Sequence, residues 1–259
     1  MRTNTVKAGL AQGHPQIGTW LSLASPMAAR FLARVGLDWI TLDLEHSPAT
    51  WETADACFSD VASAGCVPLA RIPVNDLVHI KRTMDCGAWG IVVPMCNTAA
   101  EAAAAVAACK YHPMGHRSVG GALRALSFET TEAEYFRRAN DETLVVVQAE
   151  HVQAVENCEA IFSTPGVDAM FVGPNDLLAS MGQEPAMDSD NPDFRDALRM
   201  LLDTARRCGV APGIHAGDAA MACRRIEEGW RFVAIGSDLT FMLDGARAAA
   251  AGVPREGRM

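Results

Sequence analysis

Short apolar runs alternate with longer segments of helical period along the whole chain. The short runs predict strands and the longer Ala-, Leu- and Met-rich segments predict helices, so the pattern indicates eight consecutive strand–helix units. The predicted strands are 17–23, 39–44, 67–72, 90–94, 144–149, 169–172, 211–215 and 232–235. The clearest predicted helices are 27–35, 52–64, 77–86, 99–109 and 193–208.

Several predicted strands, notably 144–147, are apolar throughout instead of alternating. This is the pattern of parallel strands that helices cover. Eight units in 259 residues therefore predict a (β/α)8 TIM barrel, with residues 1–259 forming a single α/β domain. An open doubly wound sheet is the alternative. One long connection, 111–131, has the length of a functional or disordered loop.

The amino-acid composition limits the classes of molecule that the protein is expected to bind. The net charge of −9 argues against binding nucleic acid or an anionic membrane surface, because phosphates require a basic footprint, and it favours a small-molecule ligand. No run approaches the roughly 18 apolar residues of a membrane-spanning helix, and no apolar signal region follows the N-terminus. The eight cysteines form no C-x-x-C pair, so neither a zinc ribbon nor a thioredoxin motif is indicated. These features predict a cytoplasmic protein.

Polar side chains fall where the predicted strands end. In a barrel these ends share one mouth, so residues far apart in sequence converge there. Each residue alone has an ordinary interpretation as a helix cap or a surface ion pair. Their joint position favours a catalytic mouth, formed by Trp20, Asp43, Glu45, His46, Arg71, Gln148, Glu150, the stretch 173–176 and His215.

Two carboxylates, Glu150 and Asp176, follow neighbouring predicted strands without cysteine or clustered histidine beside them. Such a pair suits a hard divalent ion, Mg²⁺ or Mn²⁺, whose other sites take water or substrate; the alternative is two separate helix caps. Backbone N–H groups of Gly173, Asn175 and Asp176 can hold a substrate carboxylate. No strand end carries a lysine for an imine, so metal-assisted enolate chemistry is favoured; the lysines are Lys7, Lys81 and Lys110.

The chain resembles the HpcH/HpaI aldolase family, the metal-dependent class II pyruvate aldolases. The resemblance rests on ordered blocks that span most of the chain: 18–20 (GTW), 43–48 (DLEHSP), 70–73 (ARIP), 85–88 (DCGA), 93–95 (VPM), 115–120 (GHRSVG), 148–150 (QAE) and 172–177 (VGPNDL). It implies a TIM barrel of the phosphoenolpyruvate/pyruvate superfamily type and a divalent cofactor (Mg²⁺, Mn²⁺ or Co²⁺). It also implies a homo-hexamer, a trimer of dimers that exchange their last helix.

The resemblance also assigns roles. It implies that 4-hydroxy-2-oxo acids are cleaved reversibly to pyruvate, or hydroxypyruvate, and an aldehyde. The base is either His46 or a water on the ion. The implied metal ligands are Glu150 and Asp176, Arg71 places a positive charge beside the keto oxygen, and Asp43 and His46 form an acid–base dyad. Trp20 contacts the substrate, and Glu45 and Gln148 support the site. Asp85 and Arg124 lie on the aldehyde side, and some of these positions reach a neighbouring subunit's site.

Two histidines depart from the family pattern, His215 in Gly-Ile-His-Ala and His151 after Glu150. A polar residue at 215 favours a hydroxylated donor such as hydroxypyruvate, or a short polar aldehyde. The alternative is a structural histidine bonded to a backbone carbonyl. Other functions left open are a CoA-ester lyase, for which no clear basic patch is seen, a decarboxylating enolate enzyme of the same superfamily, and a non-catalytic protein that binds metal or a 2-oxo acid.

Overall fold

The computed structural model describes residues 1–120 and 123–253. Residues 121–122, inside the predicted long connection, and 254–259, at the end of the predicted domain, lie outside the described residues. Eight parallel strands close into a barrel in chain order, so the predicted fold is confirmed and the open sheet is excluded. The strands are β1 (Gln16–Leu21), β2 (Trp39–Asp43), β3 (Val67–Arg71), β4 (Gly90–Val93), β5 (Leu144–Gln148), β6 (Ala169–Val172), β7 (Ala211–Ala216) and β8 (Phe232–Ser237).

Helices surround the barrel. They are α1 (Thr5–Ala11), α2 (Pro26–Leu32), α3 (Trp51–Ser63), α4 (Leu77–Cys86), α5 (Ala99–Cys109), α6 (Leu123–Ser127), α7 (Glu132–Glu142), α8 (Val152–Glu156), α9 (Cys158–Phe162), α10 (Pro174–Ser180), α11 (Pro192–Cys208), α12 (Ala219–Glu228) and α13 (Asp238–Ala251). Helix α6 lies within the predicted long connection. In the part of the chain described, no helix has the length and apolar character needed to cross a membrane.

Each strand buries both of its faces, which explains why the strands are apolar throughout. Outward residues such as Ile40 and Leu42 pack beneath the helices. Inward residues fill the lumen, where the Trp39 and Phe232 rings stack with centroids 4.2 Å apart and Phe171 meets Phe232 edge-on at 5.9 Å. These large side chains make the barrel interior a packed core with no open channel.

The two ends of the barrel differ. At the amino-terminal ends of the strands, Val6 and Leu10 of α1 join the lumen cluster and cover it. Lys7 on the same helix donates a hydrogen bond to the backbone oxygen of Thr143 (2.8 Å) and pairs with Asp168 (2.9 Å). The barrel therefore opens at the carboxyl ends, where the next inward position on several strands is polar.

Candidate active site

A cavity of about 460 Å³ opens at the carboxyl ends of the strands. The structure thus brings together the residues that the sequence placed at one mouth: Trp20, Asp43, His46, Arg71, Gln148, Glu150, Gly173, Asn175, Asp176 and His215. A groove of about 510 Å³ between α11 and α12 shares no lining residue with this cavity. The mouth cavity is therefore the candidate active site.

Asp43 and Arg71 form a two-pronged ion pair at the ends of the neighbouring strands β2 and β3. Arg71 Nε donates to Asp43 Oδ1 (3.0 Å), and Arg71 Nη2 donates to Asp43 Oδ2 (2.7 Å). Burial raises the pKa of the Asp43 carboxyl, but the hydrogen bonds and charge of Arg71 outweigh burial, so the pKa lies below its ordinary value. Asp43 Oδ1 also accepts the backbone N–H groups of Glu45 and His46. Asp43 is therefore ionised, and its hydrogen bonds hold Arg71 and the loop that follows β2 in place.

The predicted Asp43–His46 side-chain dyad is not formed. The His46 side chain is 69% exposed, and its Nε2 lies 3.7 Å from Glu45 Oε2. Glu45 Oε2 also lies 3.2 Å from Arg71 Nε. Asp43 contacts only the backbone of His46, because its two oxygens already face the guanidinium. Glu45, expected as a supporting residue near the ion, therefore links Arg71 to the imidazole.

Glu150 is a buried carboxylate on the far side of the cavity, only 3% exposed. Its Oε1 accepts the backbone N–H of Met95 (2.9 Å) and its Oε2 accepts Gln148 Nε2 (2.8 Å). Burial raises the pKa of Glu150 to about 7; the Met95 N–H opposes this shift and the Asp176 charge adds to it. No arginine or lysine hydrogen-bonds Glu150 among the described residues, so its ionised form lacks a direct counter-charge.

Glu150 and Asp176 converge over Gly173. A Cβ atom at Gly173 would lie 2.4 Å from Glu150 Oε2 and 3.6 Å from Asp176 Oδ2, so only glycine leaves room for these oxygens. Within 1–120 and 123–253, no three His, Cys, Asp or Glu side chains form a metal-binding group. The donor set of two carboxylates fits a hard divalent ion that completes its coordination with water or substrate oxygens.

An aromatic wall forms another side of the cavity. Trp20 meets Phe171 edge-on at 5.6 Å and tilts against His215 at 6.1 Å. The Arg71 guanidinium lies over the Trp20 ring at 4.8 Å. His215 Nε2 is 3.1 Å from the backbone oxygen of Gly236. His215, whose role the sequence left undecided, thus donates a hydrogen bond to a backbone carbonyl and also lines the cavity.

Asp85 and Arg124 do not reach the cavity of their own chain. Helix α4 returns from the carboxyl end of β3 to the amino end of β4, so Asp85, in its last turn, lies at the opposite end of the barrel. There it pairs with Arg117 (2.6 Å), and Arg124 Nη1 donates to its backbone oxygen (3.2 Å). Neither residue lines this cavity, so the aldehyde-side roles predicted for Asp85 and Arg124 are not met within a single chain.

Some contributors to the cavity carried no usable signal in the sequence. Met95 supplies an N–H to Glu150 from a backbone with φ of +49°, a conformation that glycine usually marks. Met187 reaches the cavity from the connection between α10 and α11, and Thr240 and Asp244 reach it from α13. Of these positions, Met95 and Thr240 lie within three residues of a strand end, where the search for polar residues at strand ends could have found Thr240.

The fold and site define a class: a (β/α)8 barrel with a cavity at the carboxyl ends of its strands, in which two carboxylates form a donor set suited to a divalent ion. Residues 16–244 match the family model described as HpcH/HpaI aldolase/citrate lyase. The chain is 40% identical, over 96% of its length and 94% of the relative, to the 4-hydroxy-2-oxo-heptane-1,7-dioate aldolase of Salmonella dublin. The chain belongs to the HpcH/HpaI aldolase/citrate lyase family, and it is a class II aldolase.

Solved structures agree with this assignment. A family protein from Burkholderia cenocepacia J2315 superposes with a TM-score of 0.90 at 36% identity, covering 96% of this chain and 98% of that one. The citrate lyase β subunit of M. tuberculosis, solved with oxaloacetate and magnesium, shares the fold at 13% identity and a TM-score of 0.58, covering 89% of this chain and 94% of that one. The Burkholderia structure supports the family assignment, whereas the citrate lyase structure supports the barrel fold alone.

Replacing the buried carboxylate, Glu150→Gln, is expected to stabilise the metal-free protein above pH 7. A folded-state pKa of about 7, against 4.5 ordinarily, means that stability is fully present below pH 4.5 and is lost as pH rises through 7. At ~1.4 kcal/mol per pKa unit, Glu150→Gln should gain ~3 kcal/mol at pH 8 and ~1 kcal/mol at pH 5. Urea unfolding in EDTA measures both values.

The exposed Glu132 on α7 supplies the control, because Glu132→Gln should change the free energy of unfolding little at either pH. A gain from Glu150→Gln that does not vary with pH would contradict the raised pKa.

Proposed function

We propose that this aldolase cleaves 4-hydroxy-2-oxo acids to pyruvate, or hydroxypyruvate, and an aldehyde, using a divalent ion held by Glu150 and Asp176. The observation that supports it most is the convergence of these two carboxylates over Gly173 in one cavity with Arg71. When bound, such an ion acts as a Lewis acid toward the carboxylate and keto oxygens of a 2-oxo acid. Mg²⁺, Mn²⁺ and Co²⁺ are the candidates.

Arg71 supplies the fixed positive charge of the mechanism. Burial lowers the pKa of Arg71, but its bonds and charge interactions with Asp43 raise it above the ordinary value, so the guanidinium stays protonated. Its ion pair with Asp43 and its stacking on Trp20 fix its direction. Held beside the keto oxygen, this charge stabilises the negative charge that develops as the C3–C4 bond breaks.

His46 is the proposed base. In the direction of cleavage it removes the proton of the C4 hydroxyl, and it returns a proton in the direction of addition. Glu45 Oε2, 3.7 Å from the imidazole Nε2, helps to hold the ring at the rim of the cavity. A positioned base is typically worth ~10² to 10⁴ in rate. Trp20 and Phe171 keep water away from the third carbon of the acid.

The lysines support a mechanism without an imine. Lys7 is paired with Asp168, and Lys110 is buried, donating to the backbone oxygens of Asn140 and Thr143. Burial lowers the pKa of Lys110 to about 8, yet the side chain lies among the residues that close the other end of the barrel. Lys81 lies on α4, outside the lining of the cavity.

We propose that the chain assembles as a homo-hexamer, a trimer of dimers that exchange the last helix. Helix α13 supports this, because it is exposed beyond Asp238 although it is mostly apolar, with Phe241 and Met242 at 41% and 52% exposure. Exposed apolar surface of this kind marks an interaction site. Such an assembly would bring Asp85 and Arg124 to a neighbour's mouth. The eight cysteines, all free thiols, support a reducing, cytoplasmic location.

Introducing charge on this helix tests the assembly. The double variant Phe241→Asp/Met242→Asp is expected to lower the oligomer mass measured by light scattering, because two carboxylates in an apolar interface are desolvated without partners. The double variant Arg195→Asp/Arg199→Asp, on the exposed face of α11, is the control and should keep the oligomer mass of the wild type. A wild-type mass of one chain would refute the proposed assembly.

Metal removal tests the proposed chemistry. Pyruvate release from a 4-hydroxy-2-oxo acid, coupled to lactate dehydrogenase, is expected with Mg²⁺ or Mn²⁺, to stop in EDTA, and to return when the ion is restored. Full activity in EDTA, or a substrate trapped on a lysine by borohydride, would contradict the proposal.

Removing the base separates an aldolase from a protein that only binds metal or a 2-oxo acid. His46→Ala is expected to lower kcat by ~10² to 10³ while metal affinity, measured by calorimetry, stays unchanged. His79, another partly exposed histidine beside an aspartate (2.6 Å), does not line the cavity, so His79→Ala should leave kcat intact. Equal losses in both variants would argue against His46 as the base.

A further inference from the structure

His215 presents an unpaired acceptor atom at the cavity. A carbonyl oxygen can only accept, so the 3.1 Å contact with Gly236 O places the ring proton on Nε2. In a neutral imidazole the other nitrogen, Nδ1, then carries a lone pair, and no donor bonds it among the described residues. Burial lowers the pKa of His215 to about 4, which the Gly236 bond opposes and the Arg71 charge reinforces, so the ring stays neutral near pH 7.

The position of His215 on β7 sets it beside the ion-binding carboxylates. The register pairs Phe171 with Gly213 and Val172 with Ile214, so the next residues, Gly173 and His215, lie at the same level on adjacent strands. Adjacent strands are about 4.8 Å apart. Because Glu150 and Asp176 converge over Gly173, a 2-oxo acid held there lies next to His215.

The wall that holds His215 faces the part of the acid that carries no charge. In the proposed reaction the carboxylate and keto oxygens of the acid would face Glu150, Asp176 and Arg71, which would leave the third carbon toward the wall formed by Trp20, Phe171 and His215. A methyl group at that carbon packs on the rings but leaves Nδ1 without a partner. A hydroxyl there donates to Nδ1.

Trp20 shapes this wall without offering a polar atom to it. Its indole Nε1–H is buried and has no hydrogen-bond partner, although Trp20 lines the same cavity. A substrate hydroxyl has no access to a buried N–H group, so His215 Nδ1 is the hydrogen-bond acceptor that such a hydroxyl can reach on this wall.

We propose that the preferred donor substrate is a 3-hydroxy-2-oxo acid, of which hydroxypyruvate is the smallest, and that His215 Nδ1 accepts the hydrogen bond of its C3 hydroxyl. This rests on the proposed aldol chemistry and names the donor for it. His215 is a specificity-determining residue that contacts the substrate and takes no part in proton transfer at C4.

The test compares hydroxypyruvate with pyruvate as donor to propanal, an aldehyde that carries no hydroxyl. Wild-type kcat/KM is expected to favour hydroxypyruvate at least tenfold. His215→Leu should lower that ratio at least tenfold, with the larger loss falling on hydroxypyruvate, and its circular dichroism spectrum, compared with that of the wild type, checks that the variant folds. His215→Gln, whose amide can donate to Gly236 O and accept from the hydroxyl, should keep part of the preference. His14→Leu, at an exposed position before β1, is the control and should keep all of it.

Two further readouts keep the donor proposal separate from the proposed aldol reaction. Titration of each acid by Trp fluorescence should give the same preference in Kd without turnover. In protein with ¹⁵N-labelled histidine, His215 Nδ1 should resonate as an unprotonated nitrogen and shift with hydroxypyruvate but not with pyruvate. A protonated Nδ1, an unchanged donor ratio in His215→Leu, or equal losses for both donors overturns the assignment. Absence of wild-type turnover with either donor refutes the aldol reaction, and the Kd ratio still decides the role of His215.

Discussion

An excess of negative charge at one end of the barrel is the constraint on which the site depends. Asp43, Glu150 and Asp176 line the cavity and Glu45 adjoins it, whereas Arg71 is the sole arginine or lysine among the described lining residues. Arg71 bonds Asp43 and lies beside Glu45, and its charge only partly offsets the repulsion between Glu150 and Asp176. Burying the Glu150 charge is costly, as the raised pKa of Glu150 shows. A divalent ion held between the two carboxylates would remove that cost, so the charge excess supports the proposed metal site.

The barrel holds these carboxylates together because its interior is tightly packed and rigid. Trp39 stacks on Phe232 at the start of β2 and β8, at the end of the barrel opposite the mouth, and Gly18 lies so close that a Cβ there would come within 2.0 Å of the Trp39 ring. Glu150 is further fixed by the Met95 N–H and the Gln148 amide. Side chains locked by packing and hydrogen bonds keep the productive geometry even when electrostatics opposes it. The packing of side chains in the lumen thus offsets the electrostatic repulsion between carboxylates at the mouth of the barrel.

The sequence predicted the barrel well because periodicity reports burial, and burial decides where a parallel strand lies. It also predicted which residues meet at the mouth, since that follows from strand ends alone. It failed where partner choice depends on three-dimensional geometry: both Asp43 and Glu45 were near enough in sequence to orient His46, and only the position of Arg71 decided between them. Likewise, a block containing Asp85 does not reveal which subunit's mouth it serves. Apolar contributors such as Met187 carry no titratable signal at all.

The cavity divides into two halves with different tasks. In the proposed function, Glu150, Asp176 and Arg71 face the carboxylate and keto oxygens that all 2-oxo acids share, so this half of the cavity cannot choose among donors. Selection has to come from the remaining lining, which is the aromatic wall with His215 and the end of α13 with Thr240 and Asp244. Helix α13 is also the exposed apolar helix, so a partner that packs against it would constrain the same cavity. Substrate selection and assembly are therefore linked through one element, whereas the charged half of the site is complete within a single chain.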